Sequence, residues 1–506
     1  MSTIRERRAG LLLHPTSLPG QTGIGELGSE AYGVLDWIAQ AGFTLWQVLP
    51  LGPTGYGDSP YQCFSAFAGN PYLISLERLV GWGWLDEGDI EPIGRLEQER
   101  VNYGAVIPLK VEVLDKAFAA WDQKAGSEER GRFDHFYETN RDWLDDYALF
   151  SSLKQFHDGK PWNQWPEHHR DRDTFALEEV RRELNDRLRR AQWMQYIFNR
   201  QWQDLRAHAA DLGLAIMGDM PIFVAYDSAD VWANREKFHL DADGNPTVVA
   251  GVPPDYFSAT GQRWGNPLYR WEVHRDEDFA WWQARIRRAL EQFDLIRIDH
   301  FRGFAACWEI PADEPTAVNG RWVDAPGDEF FTSLQRSMGS LPLVAEDLGE
   351  ITSDVIELRK KYGLPGMGIL QFAWKGGPSN AFLPHNHERN SVVYTGTHDN
   401  NTTLGWWDEE ADDDIRKAIA DYIGHDVTDP TGDMLRMAFA SVADTAVVPM
   451  QDVLRLDETA KMNRPGIETG NWSWRVNRDH LTPEIAREMR GMIKRYNRLA
   501  NGSTSG

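Results

Sequence analysis

Leu295-Ile296-Arg297-Ile298-Asp299-His300-Phe301-Arg302-Gly303-Phe304 reads as a buried β-strand that ends in ionisable side chains. Side chains alternate between the two faces of a strand, so Ile296 and Ile298 share one face while Arg297 and Asp299 share the other. An Arg and an Asp on an inner face are costly to bury unless they pair, and the pairing favours the charged form of the Asp. The stretch therefore predicts a carboxylate held ionised at the carboxyl end of a buried strand. An ordinary buried salt bridge is the alternative that this stretch alone leaves open.

Seven further segments have the apolar character of strands, and helical patterns lie between most of them. In the first helical pattern, which Gly42 ends, Ala31, Val34, Leu35 and Ile38 recur at helical spacing. Eight strand–helix repeats predict the α/β class and a closed parallel (β/α)8 TIM barrel. An open doubly wound sheet is less consistent, because no Gly-rich phosphate turn follows the first strand. Besides the opening stretch, the predicted strands cover 9–15, 44–51, 214–224, 341–346, 366–373, 391–399 and 446–454.

Two long interruptions of this rhythm predict large, mostly helical insertions after strands 2 and 3. The first has clear helical patterns near 137–157 and 175–210. The second is rich in loop residues, and its Trp, Tyr and Phe content argues against disorder. A single helix is predicted near 275–293, leading into the opening strand. The expected organisation is one barrel domain over 1–506, an inserted helical subdomain at about 57–205, an inserted active-site loop subdomain at about 225–272, and a disordered tail at 502–506.

Composition excludes several classes of partner. The chain carries 53 Lys and Arg against 77 Asp and Glu, a net charge of −24, and has no basic block. Nucleic acid and anionic membrane surfaces are therefore not expected partners. No apolar run is long enough to span a membrane or to form a signal segment. Cys63 and Cys307 are the only cysteines, which predicts free thiols in a reducing cytoplasm.

Four of the predicted strands carry an acidic residue at or near the carboxyl end: Asp219, Asp299, Glu346 and Asp399. In a parallel barrel those ends surround one pocket, whatever their separation in sequence. A metal site is disfavoured because no His/Asp or His/Glu pair has ligand spacing. His398 and Asp399 are adjacent on a predicted strand, which would point them to opposite faces.

Chemistry at a glycosidic bond fits these carboxylates better. It needs one ionised carboxylate as nucleophile and one protonated carboxyl as acid. Arg297 beside Asp299 marks the ionised group, and burial and neighbouring anions would raise the pKa of Glu346 so that it acts as the acid. Asp399 could hydrogen-bond sugar hydroxyls, and the 22 Trp, 22 Phe and 15 Tyr residues would suit sugar faces.

Long motifs of the chain resemble the 4-α-glucanotransferases, also called amylomaltases or disproportionating enzymes, of glycoside hydrolase family 77. The motifs run from Leu13 to about Arg475 and include SPYQCFSAFAGNPYLI, GDMPIFVAYDSADVWAN, GVPPDYFSATGQRWGNPLY, IRIDHFRGF, AEDLG, YTGTHDN and GNWSWR. The resemblance implies a retaining double displacement that moves a segment of an α-1,4-glucan to the 4-OH of another glucan or of glucose. It implies disproportionation of maltooligosaccharides, cyclisation of long glucans, and no metal or organic cofactor. The implied substrates are maltooligosaccharides, amylose, starch and glycogen.

Roles follow by motif position. The resemblance implies that Asp299 is the nucleophile, Glu346 the acid/base and Asp399 the transition-state stabiliser. It implies substrate-binding or supporting positions at Ser59, Tyr61, Asp219, Tyr256, Phe257, Gln262, Trp264, Arg297, His398 and Asn471. A secondary glucan site is implied at Tyr56 and Tyr103.

Two residues depart from the family pattern, and one alternative activity stays open. Lys375 follows QFAW and Asn401 follows THDN, where acidic residues are expected, so acceptor preference is the property that they affect. The alternative is an α-amylase-like retaining α-1,4-glucan hydrolase, which would use the same acids with water as acceptor. A silent glucan-binding protein would lack one of the carboxylates, and none is missing.

Overall fold

All eight predicted strands are present in the computed structural model, which describes residues 7–254, 258–467 and 469–500. They lie parallel to one another in one sheet. The strands are β1 Arg8–Leu12, β2 Leu45–Gln47, β3 Ala215–Pro221, β4 Leu295–Asp299, β5 Leu343–Ala345, β6 Gly366–Ile369, β7 Ser391–Tyr394 and β8 Thr445–Pro449. Around the sheet β6, β7 and β8 are followed by β1 to β5, and Ala345 N–H donates to Pro365 O at 2.9 Å, which links β5 to the start of β6. The predicted (β/α)8 barrel is thereby confirmed.

The predicted strands extend too far at their carboxyl ends. Leu49 and Leu51 are buried but follow the end of β2, and Met450–Val453 is helical where strand was predicted. Apolar residues continue past the strand ends because the loops there are themselves buried, and an apolar run does not distinguish a strand from a buried loop. His398 and Asp399 lie in the loop after β7, so the prediction that they point to opposite faces of a strand is wrong.

Helices surround the barrel and fill the insertion after β2. In that insertion Ser127–Phe156 and Asn185–Asp211 pack together, close to the helices predicted there. The α-helices are Ser29–Gln40, Leu76–Gly81, Glu87–Ile90, Tyr103–Lys124, Ser127–Phe156, Glu167–Arg170, Thr174–Glu183, Asn185–Asp211, Ala229–Ala233, Trp271–Asp276, Ala280–Gln292, Gly327–Met338, Ser353–Lys361, Thr403–Glu409, Asp413–Ile423, Pro430–Ala440, Met450–Val453 and Pro483–Arg495. No helix within the described ranges has the length and apolarity needed to cross a membrane.

The single helix predicted near 275–293 is in fact two helices. Trp271–Asp276 and Ala280–Gln292 are separated by Asp278 and Phe279, both with a left-handed backbone at φ 50° and 56°. The ring of Phe279 is buried against Phe330 at 5.5 Å. Packing of this ring overrides the local helical pattern, which is why periodicity alone missed the break.

A second, antiparallel sheet lies beyond the carboxyl ends of β3 and β4; we call it the small sheet. Its strands are Gln262–Pro267, Val248–Val252, Ala306–Pro311 and Arg321–Asp324, in that spatial order. The first two come from the insertion after β3, and the last two follow β4. No insertion is predicted after β4, because the pairing of Ala306–Pro311 with Val248–Val252, from the insertion after β3, leaves no local signal.

Candidate active site

The opening stretch forms β4 as predicted, with Ile296 and Ile298 fully buried on one face. On the other face Arg297 Nη1 donates to Asp299 Oδ1 at 2.9 Å. The same nitrogen donates to both carboxylate oxygens of Asp219 at 2.8 Å. Because β3 and β4 pair with Asp219 opposite Arg297, one buried guanidinium bridges two carboxylates of neighbouring strands.

Asp219 is the deeper of the two carboxylates that Arg297 binds. Its side chain is 0% exposed, and Tyr61 Oη donates to its Oδ2 at 2.8 Å. Burial raises the pKa of Asp219 against the opposing effect of Arg297. Asp219 therefore holds Arg297 and Tyr61 in place, and its predicted contact with sugar stays a prediction.

Glu346 directly follows β5, and backbone N–H groups bind both of its carboxylate oxygens. His300 N–H donates to Oε2 at 2.6 Å, and Leu348 N–H donates to Oε1 at 2.9 Å. Burial raises the pKa of Glu346 to about 7; the charge of Asp299 adds to this effect, and Arg297 opposes it. The direction agrees with the sequence prediction, although burial contributes more than the neighbouring anion. A carboxyl group with a pKa near neutrality can both give and take a proton.

Asp399 lies in the loop after β7, with 47% of its side chain exposed. His398 Nε2 is 3.3 Å from its Oδ2, and Asn463 Nδ2 donates to its Oδ1 at 2.6 Å. Partial desolvation of the carboxylate opposes ionisation, but His398 and Asn463 together hold the pKa of Asp399 well below its usual value. For His398 burial lowers the pKa, yet Asp399 raises it above the ordinary value overall. Asp399 is thus a permanent anion at neutral pH, as its predicted role requires.

Three rings form a wall beside this ion pair. Tyr61 stacks on His398 with centroids 5.2 Å apart and an interplanar angle of 19°. Trp472 lies 5.9 Å from each of them. Trp472 and Asn463 are not among the site residues predicted from the sequence. Trp472 stands inside the quoted motif GNWSWR, and its aromatic character was the available signal; an isolated Asn such as Asn463 gives none.

The two tyrosines of the predicted secondary glucan site have different surroundings. Tyr56 is 72% exposed, whereas Tyr103 is 7% exposed and its Oη donates to Trp472 O at 2.9 Å. Tyr103 thus supports the backbone of Trp472, and Tyr56 is the more exposed of the pair. The secondary site stays a prediction.

Most of the other predicted binding positions make hydrogen bonds within the protein. Trp264 belongs to the small sheet and donates from Nε1 to Gln262 Oε1 at 3.1 Å. Ser59 Oγ accepts from Tyr61 N–H at 3.2 Å. Asn471 fixes the loop before Trp472, because it accepts from Arg464 N–H at 2.9 Å and donates to Ile467 O at 2.7 Å. Tyr256 and Phe257 lie outside the described residues.

The two residues that depart from the family pattern lie in different surroundings. Lys375 is exposed, 4.0 Å from Asp412. Asn401 is buried and donates from Nδ2 to Glu409 and Glu410 at 3.2 and 3.1 Å. In the ranges that the structure covers, no group of three or more His, Cys, Asp or Glu side chains is placed to hold a metal ion.

Comparisons with known proteins agree with this geometry. A family profile described as 4-alpha-glucanotransferase matches residues 13–482. The chain is 52% identical to the 4-alpha-glucanotransferase of Thermus thermophilus over 501 residues, covering 97% of this chain and 99% of that protein. It is 45% identical to the 4-alpha-glucanotransferase of a Synechocystis strain, covering 97% and 98%.

A solved structure is also similar over the whole chain. The amylomaltase from Streptococcus agalactiae in complex with acarbose superposes with a TM-score of 0.95 at 36% sequence identity, covering 98% of this chain and all of that one. The barrel, the converging carboxylates and these matches lead to one conclusion. The chain belongs to the 4-alpha-glucanotransferase family.

Proposed function

We propose that this chain moves segments of α-1,4-glucans onto the 4-OH of other glucans or of glucose by a retaining double displacement. The observation that carries the proposal is that the two carboxyl groups at the ends of β4 and β5 lie in different environments. Asp299 is bound by the buried Arg297, and Glu346 has a pKa raised to about 7. Two carboxyls in such different environments suit the nucleophile and the acid of glycosidic chemistry.

In the first step the Asp299 carboxylate attacks the anomeric carbon while the bond from that carbon to the glycosidic oxygen breaks. Glu346 gives its proton to the departing oxygen, which leaves as the 4-OH of the released glucan. The glucan segment is then a covalent ester of Asp299 with inverted configuration. Asp399, kept anionic by His398 and Asn463, hydrogen-bonds sugar hydroxyls and favours the positively charged, distorted ring.

In the second step the 4-OH of an acceptor glucan attacks the same carbon. Glu346, now a carboxylate, takes the hydroxyl proton, and the ester bond to Asp299 breaks. The second inversion restores the α configuration and regenerates both carboxyls. The N–H groups of His300 and Leu348 bind Glu346 while it is ionised between the two steps.

The proposed substrates are maltooligosaccharides, amylose, starch and glycogen, with Tyr61, His398 and Trp472 as the ring wall against which a sugar packs. Support comes from the named activity of the relatives and from the similar amylomaltase, which is in complex with acarbose. We also propose a single catalytic unit, because one continuous apolar core joins the barrel to the insertion after β2. A cytoplasmic location is proposed because Cys63 and Cys307 are free thiols.

One incubation with maltotriose tests this function against the hydrolytic alternative. We expect a ladder of shorter and longer maltooligosaccharides, because the glycosyl-enzyme is passed to another sugar. A hydrolase would give only glucose and maltose. An arm with a chelator should leave the ladder unchanged, and loss of the ladder there would point to a metal-dependent reaction instead.

The pH dependence should follow Glu346. Because the first step needs its proton, kcat/KM for maltotriose should fall as pH rises through about 7, the pKa of Glu346 in the folded protein. The same profile measured with α-glucosyl fluoride should lose this alkaline limb, since fluoride leaves without a proton. An identical limb with both donors would show that another group titrates there.

Arg297→Ala should weaken both activity and stability. The fully buried carboxylate of Asp219 lies against Arg297. Leaving that charge unpaired should cost about 3–5 kcal/mol of unfolding free energy. The double variant Arg297→Ala/Asp219→Asn should regain stability in urea unfolding while transfer stays low. If the double variant regained transfer as well, Arg297 would be a structural partner only.

Trp264→Ala should raise hydrolysis relative to transfer. Water and the acceptor sugar compete for the same glycosyl-enzyme, so transfer requires that sugar is held and water is excluded. Trp264 projects from the small sheet toward His300, with ring centroids 4.8 Å apart. Tyr256→Ala should act in the same direction. The measurement is the ratio of glucose to transfer products from maltotriose in one chromatogram. An unchanged ratio with lower total activity would mean that these aromatic residues position sugar without excluding water.

A further inference from the structure

The residue after the proposed nucleophile has an uncommon backbone. His300 has φ 54° and ψ 51°, the left-handed region, which disfavours residues other than glycine. Such a conformation persists only where its surroundings enforce it, and it is often found at functional sites. Here it turns the chain so that His300 N–H donates to Glu346 Oε2 and Phe301 N–H donates to Glu346 O at 3.0 Å. The turn therefore carries one of the two N–H groups that bind the acid carboxyl.

The ring of His300 is held from the other side by the small sheet. It meets Trp264 edge to face, with centroids 4.8 Å apart and an angle of 87°, and lies 6.3 Å from Phe223. The ring is therefore fixed by packing.

The position of the His300 ring is not set by a hydrogen bond from Nε2. Nε2 of His300 is buried with no partner among the described residues. Burial lowers the pKa of His300 to about 4, so the ring is neutral at pH 7. The neutral His300 ring therefore acts through its shape. Its packing against Trp264 is the interaction that fixes the left-handed turn.

We propose that His300 is a positioning residue through which the small sheet sets the place of the acid carboxyl. Trp264 fixes the His300 ring, the ring fixes the left-handed turn, and the turn aims the His300 N–H at Glu346 Oε2. A sugar that packs against Trp264 would thereby act on the group that protonates the leaving oxygen. This inference rests on the proposed role of Glu346 as acid.

The other titratable groups near Glu346 belong to the barrel. Arg297 and Asp299 lie on β4, and Tyr394 ends β7. Asp299 and Arg302 are the charged groups that face His300 itself. Loss of the His300 ring removes none of them, so a changed titration of Glu346 would report the hydrogen bond from the turn.

The test is the alkaline limb of kcat/KM for maltotriose in ring-deleted and ring-retaining variants. Asn tolerates the left-handed region and keeps the N–H, so His300→Asn removes only the ring. Without the ring the bond to ionised Glu346 should loosen, moving the limb up by about one pH unit and lowering kcat roughly 10-fold. His300→Phe should keep the wild-type limb. His300→Gly, which also permits the left-handed turn, repeats the test if the Asn variant does not fold.

Trp264→Ala should move the limb in the same direction, and His300→Asn/Trp264→Ala should move it no further, because both changes break one chain of contacts. Trp308→Ala is the matched control: Trp308 lies in the small sheet and packs on Trp322 at 5.3 Å, and the limb should stay in place. A His300→Asn variant with the wild-type limb would overturn the proposal, even if its melting temperature fell. A wild-type enzyme whose limb persists with α-glucosyl fluoride would instead overturn the role of Glu346, and this inference with it.

Discussion

Asp299→Asn should remove at least ~10⁴-fold of the transfer rate, the scale on which loss of a nucleophile is felt. An amide oxygen does not displace a glycosidic oxygen, so no glycosyl-enzyme forms. The fold should survive, because Asn retains an oxygen that can accept from Arg297 Nη1, as Asp299 Oδ1 does at 2.9 Å. Transfer is measured from maltotriose by chromatography, and stability by thermal melting.

Asp294→Asn is the matched control for this variant. Asp294 precedes the opposite end of β4, where its Oδ2 accepts from Ile216 N–H at 2.8 Å and its Oδ1 pairs with Arg206 at 3.0 Å. It should lose some stability and keep its activity. A second arm uses Asp299→Ala with α-glucosyl fluoride and azide: azide should enter the space left by the carboxylate and give the β-glucosyl azide as fluoride leaves. Formation of the α product would mean that another residue is the nucleophile.

The barrel could be predicted because each strand is a local apolar run and eight runs separated by helices have one common closed solution. The ends of the strands could not be predicted, because Leu49 and Leu51, which follow β2, are as buried as the residues of β2 itself. The break at Phe279 and the small sheet depend on side chains and strands that meet only in three dimensions. A local pattern carries no information on such contacts.

The candidate site divides in the same way. Asp299 and Arg297 could be paired from sequence because they are two residues apart on one strand. Asn463 could not be assigned to Asp399, 64 residues away, nor could Trp472 to the ring wall. For Glu346 a raised pKa could be predicted from burial and neighbouring anions, whereas the larger contribution of burial could not. Burial of a polar group after a strand depends on which loops cover it, and only the structure gives that.

Glu346→Gln should lower transfer from maltotriose by about 10²–10⁴-fold, the usual contribution of a general acid. With α-glucosyl fluoride the first step should survive, because fluoride leaves without a proton. The glucosyl-enzyme should then accumulate, since no base remains to deprotonate the acceptor hydroxyl. Intact-protein mass spectrometry should detect one added glucosyl unit on Asp299.

Glu346→Gln should also lose stability, for a reason that lies in the structure and not in the reaction chemistry. Both oxygens of Glu346 accept from backbone N–H groups, those of His300 and Leu348. A Gln amide has one oxygen, so its NH2 must face one of these donors, and some stability should be lost. Melting temperature and labelling must therefore be read together.

Asp347→Asn controls for that loss, because it alters the next carboxyl along the chain. Asp347 accepts from Met367 N–H at 2.7 Å and pairs with Arg359 at 3.0 Å, away from Asp299. It should melt at a lower temperature and still transfer glucan. Azide should also release the accumulated glucosyl-enzyme of Glu346→Gln as the α-glucosyl azide, since an anionic acceptor needs no base. If a folded Glu346→Gln variant took no label from the fluoride, Glu346 would not act only as the proton donor, and the assignment of the acid would have to pass to another carboxyl.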